Sequence, residues 1–180
     1  MVGLAAVSFL AGCSSETGGE LGSSGEPPAD SGLPHSGAPK VENPIDTAAF
    51  EADPCSAITE QQLAEERVNI DEVKPEPDNQ VGPSCTWYST FEWGQFSGAV
   101  LTANSDGLST QYAQYQAGEW AYFEELSVAG YPAVVNSLTD NRKNGDCTLN
   151  VGVRDDLTYI LTLSLGTENP YRTKPCELAE

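Results

Sequence analysis

The sequence predicts an α+β domain: an antiparallel β-sheet with helices packed on one face, held by two disulfides. Three observations lead there. Cys147, Leu149, Val151 and Val153 alternate with Thr148, Asn150, Gly152 and Arg154, and Tyr159, Leu161, Leu163 and Leu165 alternate after them. That is the period-two pattern of half-buried strands. Helix-start signals occur at Asp53-Pro54, Thr59–Gln62 and Ser105-Asp106. The chain has 5 cysteines, and an even number remains once Cys13 is set aside.

Taken in order, Asp53-Pro54 supplies a cap followed by a proline suited to a first helical position. Thr59-Glu60-Gln61-Gln62 fits a capping box, so a short helix is expected through Leu63 to Arg67. Three prolines mark Lys74 to Pro83 as loop. Aromatic and threonine residues from Ser84 to about Phe91 predict a strand. Ser97 to Ala103 is its hairpin partner, with Trp93-Gly94-Gln95 near the turn. After Ser105-Asp106-Gly107, the positions Leu108, Tyr112 and Tyr115 share one helical face. Gly118 is a stop signal, although Trp120 to Phe123 could extend that helix. Leu126 to Val135 reads as a strand bent or broken at Gly130-Tyr131-Pro132. Thr139 to Asp146 is a polar loop. The alternating strands then pair through a turn at Asp155-Asp156, with one face on the core. Pro175 to Glu180 begins a helix. Runs of strands interspersed with helices in this order give an α+β fold.

The first residues follow another logic. Val2 to Leu10 is apolar or small throughout and too short to span a bilayer, which needs about 20 residues. Ala11-Gly12 are the small residues of a cleavage site, and Leu10-Ala11-Gly12-Cys13 reads as a lipobox in which Cys13 receives lipid. No Lys or Arg precedes the run, so the positive segment of a signal peptide is expected upstream of Met1. Ser14 to about Asp46 is rich in Gly, Ser, Pro and Glu, the composition of a flexible spacer. His35, the only histidine, falls in it and is expected to be a solvated residue. The expected division is a signal peptide over 1–12, a lipidated cysteine and tether over 13–46, and a single domain over 47–180.

Cys55, Cys85, Cys147 and Cys176 favour disulfides over metal ligation in an exported domain. No C-x-x-C spacing and no domain histidine supports a zinc site, so no metal is expected. Of three pairings, the favoured one joins Cys85 with Cys147 across the sheet and Cys55 with Cys176 near the domain ends. Loops of that length stabilise by about 4–5 kcal/mol each in the chain-entropy treatment.

The formal net charge of -19 repels phosphate backbones and anionic lipid headgroups, which argues against nucleic-acid binding. Without a domain histidine, Ser-His-Asp and Cys-His catalysis lack their base. The acids Glu124-Glu125 and Asp155-Asp156 are neighbours in sequence, whereas a glycosidase needs two acids across a cleft. Asp140 to Asp146 fails as a calcium loop, because Arg142 and Val151 stand where carboxylates are required. No phosphate-binding glycine motif occurs, and no cofactor is expected. Aromatic residues crowd the middle of the domain. Most are expected in the core, but Trp93 and Trp120, in turn and helix-end contexts, are candidates for an apolar groove or partner patch.

The lipobox and tether, Asp53-Pro54-Cys55, Cys85-Thr86-Trp87, Gly130-Tyr131-Pro132-Ala133, Cys147-Thr148-Leu149-Asn150-Val151 and Pro175-Cys176 together resemble an actinobacterial lipoprotein family known as a domain of unknown function. The resemblance covers the leader and about residues 47–180. It implies a surface lipoprotein, a compact disulfide-bonded domain and no established enzyme activity. It also implies a longer C-terminal helix than the residues after Cys176 provide. The expected protein is therefore a non-enzymatic, membrane-anchored extracytoplasmic lipoprotein that binds an envelope ligand or protein partner. A hydrolase using paired carboxylates and a structural subunit of an export or cell-wall complex are the alternatives.

Overall fold

Two nine-residue strands, β6 (Asp146–Arg154) and β7 (Leu157–Leu165), form the centre of the sheet. They pair antiparallel with Cys147 opposite Leu163, Leu149 opposite Leu161 and Val151 opposite Tyr159. The structure, a computed structural model, describes residues 32–180. The remaining elements are α1 (Ala48–Ala52), a 3₁₀ turn (Pro54–Ala57), α2 (Glu60–Glu65), β1 (Glu72–Glu76), β2 (Ser84–Tyr88), β3 (Gly94–Val100), α3 (Ser109–Gln116), β4 (Tyr122–Val128), β5 (Tyr131–Ser137), a 3₁₀ turn (Arg142–Asn144) and α4 (Pro175–Ala179). All seven strands join one antiparallel sheet in the order β1-β2-β3-β7-β6-β5-β4. Two meanders, β1–β3 and β4–β7, are welded where β3 meets β7. The α+β class read from the sequence holds.

Alternation sends one set of side chains to the core face. Cys147, Leu149, Leu163, Leu165, Ala133 and Val135 are buried together there with Ala179 of α4. Trp87 is 1% exposed and stacks on Phe96 of the neighbouring strand, ring centroids 5.3 Å apart. Phe50 of α1 packs on Val100, Val153 and Leu157. Gly98 permits a close approach: a Cβ there would sit 1.9 Å from the Tyr159 Oη. That hydroxyl is buried without a hydrogen-bond partner, and burial pushes its pKa up to about 12.

The second face carries the alternate residues. Over β5 and β6 it is covered by α3, which departs from the expected one-face arrangement of helices. Val134 packs with Leu108 and Tyr112. A relay of side-chain amides docks α3: Asn136 Nδ2 donates to Gln111 Oε1 (2.9 Å), and Asn136 Oδ1 accepts from Asn150 Nδ2 (3.0 Å). Across β2, β3, β7 and β6, the same face presents two rows of polar residues. Thr86, Ser97, Thr162 and Thr148 are opposite one another, and so are Tyr88, Gln95, Ser164 and Asp146.

Several expectations are corrected. Residues 32–46, expected as tether, lie against the sheet: Ala38 and Val41 are buried. The Val41 amide donates to Asp155 (2.8 Å) and the Ile45 amide to the Val153 carbonyl (2.9 Å). Sparse apolar residues suffice because fixed backbone donors meet partners. The His35 side chain is exposed, but its backbone amide donates to Ser109 Oγ (2.9 Å). Part of the Lys74–Pro83 loop is the edge strand β1, where Pro75 is tolerated. Trp120 to Phe123 does not extend α3. Gly118, with φ +74°, ends the helix and β4 follows. The bent strand at Gly130 is instead a hairpin between β4 and β5, closed by Ala129 and Gly130 at φ 50° and 87°. Two successive left-handed residues match a type I′ turn.

The disulfide pairing is also corrected. Cys85 and Cys147 face the same side, but β3 and β7 separate their strands. Three strand spacings amount to about 14 Å, beyond the about 7 Å that a disulfide can bridge. Each instead joins a cysteine in a covering segment: Cys55 with Cys85, and Cys147 with Cys176. The bridged residues are 30 and 29 apart in sequence, which corresponds to about 3–4 kcal/mol of loop-closure stabilisation per bond. Replacing either pair by serines should lower the unfolding free energy by about that amount in urea melts. Non-reducing peptide maps should recover Cys55 with Cys85. A map joining Cys85 to Cys147 would refute this topology.

Candidate functional site

The segments covering the core face are short and leave a gap between them. Between α2 and α4 lies an apolar groove of about 270 Å³. Ile58, Leu63 and Val68 form one wall, Phe96, Leu161 and Leu163 the floor, and Leu178 and Ala179 the other wall. The α2 wall is set by local chemistry. Thr59 Oγ1 accepts from the Gln62 amide, and the Gln62 side chain accepts from the Thr59 amide, the capping box read from the sequence. The helix ends with Val68 N donating to the Leu63 carbonyl (2.8 Å) and Arg67 at φ 57°, a Schellman-type stop that usually takes glycine. No residue of α2 is buried, so this wall is held mainly at its ends. The rim bears Glu65, Glu66 and Glu180. Tyr171 Oη donates to Glu66 (3.2 Å), and that hydrogen bond raises the phenol's pKa.

The two tryptophan candidates are not brought together. Trp93, half-buried at the β2–β3 turn, does not line this groove but a separate concavity with Glu65, Glu66, Arg67, Pro170 and Tyr171. Its carbonyl accepts from Gly166 N (3.0 Å) and Asn169 Nδ2 (3.2 Å). Trp120 belongs to the second face, where its Nε1 donates to the Gln111 carbonyl (3.0 Å) and ties the β4 approach to α3. Leu63, Leu161 and Leu178 were missed as site residues, because each reads as ordinary core in its own strand or helix. Cys13 lies outside the described residues.

The acids proposed for a hydrolase separate. Glu124 and Glu125 are consecutive on β4 and so point to opposite faces. Glu124 pairs with Arg142. Glu125 lies by Tyr112, whose phenol is pushed up to about 12, first by burial and then by that carboxylate. Asp155 accepts from the Val41 amide, and Asp156 pairs with Arg154. Neither pair presents two carboxylates to one cleft. Among the described residues no cluster of three or more His, Cys, Asp or Glu is arranged to hold a metal ion, and no helix is long and apolar enough to cross a membrane.

Arg142 organises the loop beside β4. Its guanidinium grips both oxygens of Asp140 (2.9 and 2.8 Å) and lies 4.0 Å over the Tyr122 ring. The hydrogen bonds from Arg142 hold the Asp140 carboxyl down to about 2. The stabilising contribution of this lowered pKa is present above the ordinary carboxylate range and fades as pH falls toward 2. NMR titration should find that low midpoint, and Arg142→Gln should return it toward about 4. An unshifted Asp140 in the unmodified protein would exclude this grip in solution.

The model of a protein family described as "Protein of unknown function (DUF3558)" matches residues 8–180. No curated protein and no solved structure matches the chain.

Proposed function

Given that the chain belongs to the DUF3558 family of proteins of unknown function, we propose that it is a non-enzymatic, membrane-anchored envelope lipoprotein whose domain receives the apolar part of a ligand in the groove between α2 and α4. The observation that carries this reading is the groove itself: Phe96 and Leu161, only partly covered, form its floor on the core face beside the buried Leu163. Ligand pockets pair such apolar linings with a few polar groups at the margin. Here the margin is acidic, with Glu65, Glu66 and Glu180. Against a net charge of -19, this selects an apolar chain with a cationic head over an anionic one. The loosely held α2 wall is the element that admits it.

The anchor rests on Leu10-Ala11-Gly12-Cys13, and export is supported by the two disulfides, which persist in oxidising compartments. Radiolabelled palmitate fed to the native host should enter the polypeptide and be lost with Cys13→Ser. Labelling that survives this substitution would place the lipid elsewhere.

For the groove, the oxidised full chain carrying Cys13→Ser can be titrated with dodecylamine and dodecanoate while the amides of Leu161 and Leu163 are followed by NMR. The amine should bind more tightly than the acid. Leu63→Gln, on a helix that buries no residue, should weaken the amine about tenfold, the equivalent of roughly 1.4 kcal/mol. Absence of binding by both amphiphiles would overturn the reading.

A further inference from the structure

The open half of the second face is chemically unlike the groove and lies on the opposite side of the sheet. It ends in a separate concavity of about 550 Å³ where the β2–β3 turn and the Leu165–Thr167 loop meet. Its floor is the register row Tyr88, Gln95, Ser164 and Asp146, four side chains contributed by four adjacent strands. Adjacent strands are about 4.8 Å apart, so polar groups repeat across the floor at about the width of a sugar ring. Phe91 stands on the border with 91% of its surface in water. Of the large apolar side chains left exposed, which are Val73, Val81, Phe91, Tyr115 and Leu138, it is the most exposed. Folding gains nothing from a ring placed there.

We propose that this concavity is a binding site for a neutral saccharide. Sugars present two surfaces at once, hydroxyls that both donate and accept and C–H faces that are apolar. Gln95 both donates and accepts, Asp146 accepts, and Ser164 and Tyr88 bring hydroxyls. Phe91 and Tyr88 bring rings on which a C–H face can rest. Asp146 accepts from Ser164 (3.0 Å). The Gln95 amide has no partner among the described residues and is exposed, so it is free for a ligand. In the neighbouring row the exposed Thr162, opposite Ser97 and Thr148, extends the hydroxyl surface beyond the concavity.

The charges favour a neutral occupant over an anion. The cation on the border, Arg172, gives one N–H to the Leu165 carbonyl (2.7 Å) and keeps its charge, and Asp146 on the floor offsets it. A phosphate or an acidic sugar therefore meets no net positive charge there, in a protein whose net charge is -19. The polar floor offers an acyl chain nothing to replace the water it would displace. A neutral polyol with an apolar face fits both the floor and the exposed ring.

The test uses the oxidised full chain carrying Cys13→Ser, isotopically labelled and titrated with neutral hexasaccharides of glucose, N-acetylglucosamine, mannose and galactose, with a hexagalacturonate as the acidic comparison. At least one neutral oligomer should shift the amides of Gln95, Asp146 and Ser164. Phe91→Ala should weaken it about tenfold without changing the thermal midpoint, because the ring is exposed. Asp146→Asn, which keeps an acceptor but removes the charge, should narrow the preference for neutral over acidic oligomer. The proposal fails if no neutral oligomer shifts these amides, if the acidic oligomer binds more tightly, or if Phe91→Ala binds as well as the unmodified chain. Loss of dodecylamine binding alone would leave this site standing, since the two lie on opposite faces.

Discussion

The pairing of β3 with β7 is the constraint on which the rest of the structure depends. It joins seven residue pairs, from Gly94 with Leu165 to Val100 with Tyr159, and among the described residues it is the strand pairing that joins two meanders otherwise left as separate small sheets. Three strands on one side and four on the other could each bury only a thin apolar face. Joined, they align Trp87, Phe96, Leu163 and Cys147 in one row across four strands. Gly98 matters here for its lack of a side chain, because the Tyr159 ring crosses directly over it. The orphaned Tyr159 hydroxyl is the cost of placing a large ring at that crossing.

A sheet with one apolar face needs covering, and the segments available are short. The helices α1 and α2 bury no residue of their own, and α4 buries Pro175 and Ala179. Helices of five or six residues are not stable alone in water. The two disulfides solve this by fixing one covering segment each to a strand: the Cys55 turn to β2 and α4 to β6. Cross-linking cover to sheet, rather than strand to strand or terminus to terminus, places covalent constraint where noncovalent packing is weakest. It also leaves a gap, since the segment between the two staples, α2, is held mainly at its ends. The apolar groove follows from that arrangement.

Legibility in the sequence tracked whether a signal was local. Alternation over Cys147–Val153 and Tyr159–Leu165 located the central hairpin, because each strand has one buried and one polar face. Thr59 and Gln62 announced the capping box through side chains three residues apart. By contrast, Glu72–Glu76 has no apolar rhythm: it is an edge strand with four of its five residues exposed, and Pro75 disguised it further. The β4–β5 turn uses Ala129 and Gly130 in place of the Asn-Gly pair that marks a type I′ turn. The disulfide partners could not be read from strand-like flanks, because which cysteines meet depends on how many strands intervene. The saccharide site was invisible for the same reason. Tyr88, Gln95, Asp146 and Ser164 each look like an unremarkable alternate position, and only the register of four strands makes them a row.

The second face shows why part of a sheet can stay bare. Over β5 and β6 the polar residues are amides, and over β2, β3 and β7 they are mostly hydroxyls. Asn136, 1% exposed, donates to Gln111 of α3 and accepts from Asn150. Apolar packing alone is non-directional and would let a short helix slide. A relay of directional hydrogen bonds between buried amides fixes one position for α3, and each amide left unpaired by a shift would carry a desolvation penalty of about 1–3 kcal/mol. Leu108 reinforces this by lying against Gly152, where any Cβ would approach its side chain to 2.9 Å. The hydroxyl rows offer α3 no comparable relay. The buried Thr86 and the half-buried Ser97 already bond to each other at 2.9 Å, and the exposed Thr162 loses little by facing water. The same residues that make that half a poor seat for a helix leave the Thr162 and Ser164 side chains exposed for another hydroxylated molecule.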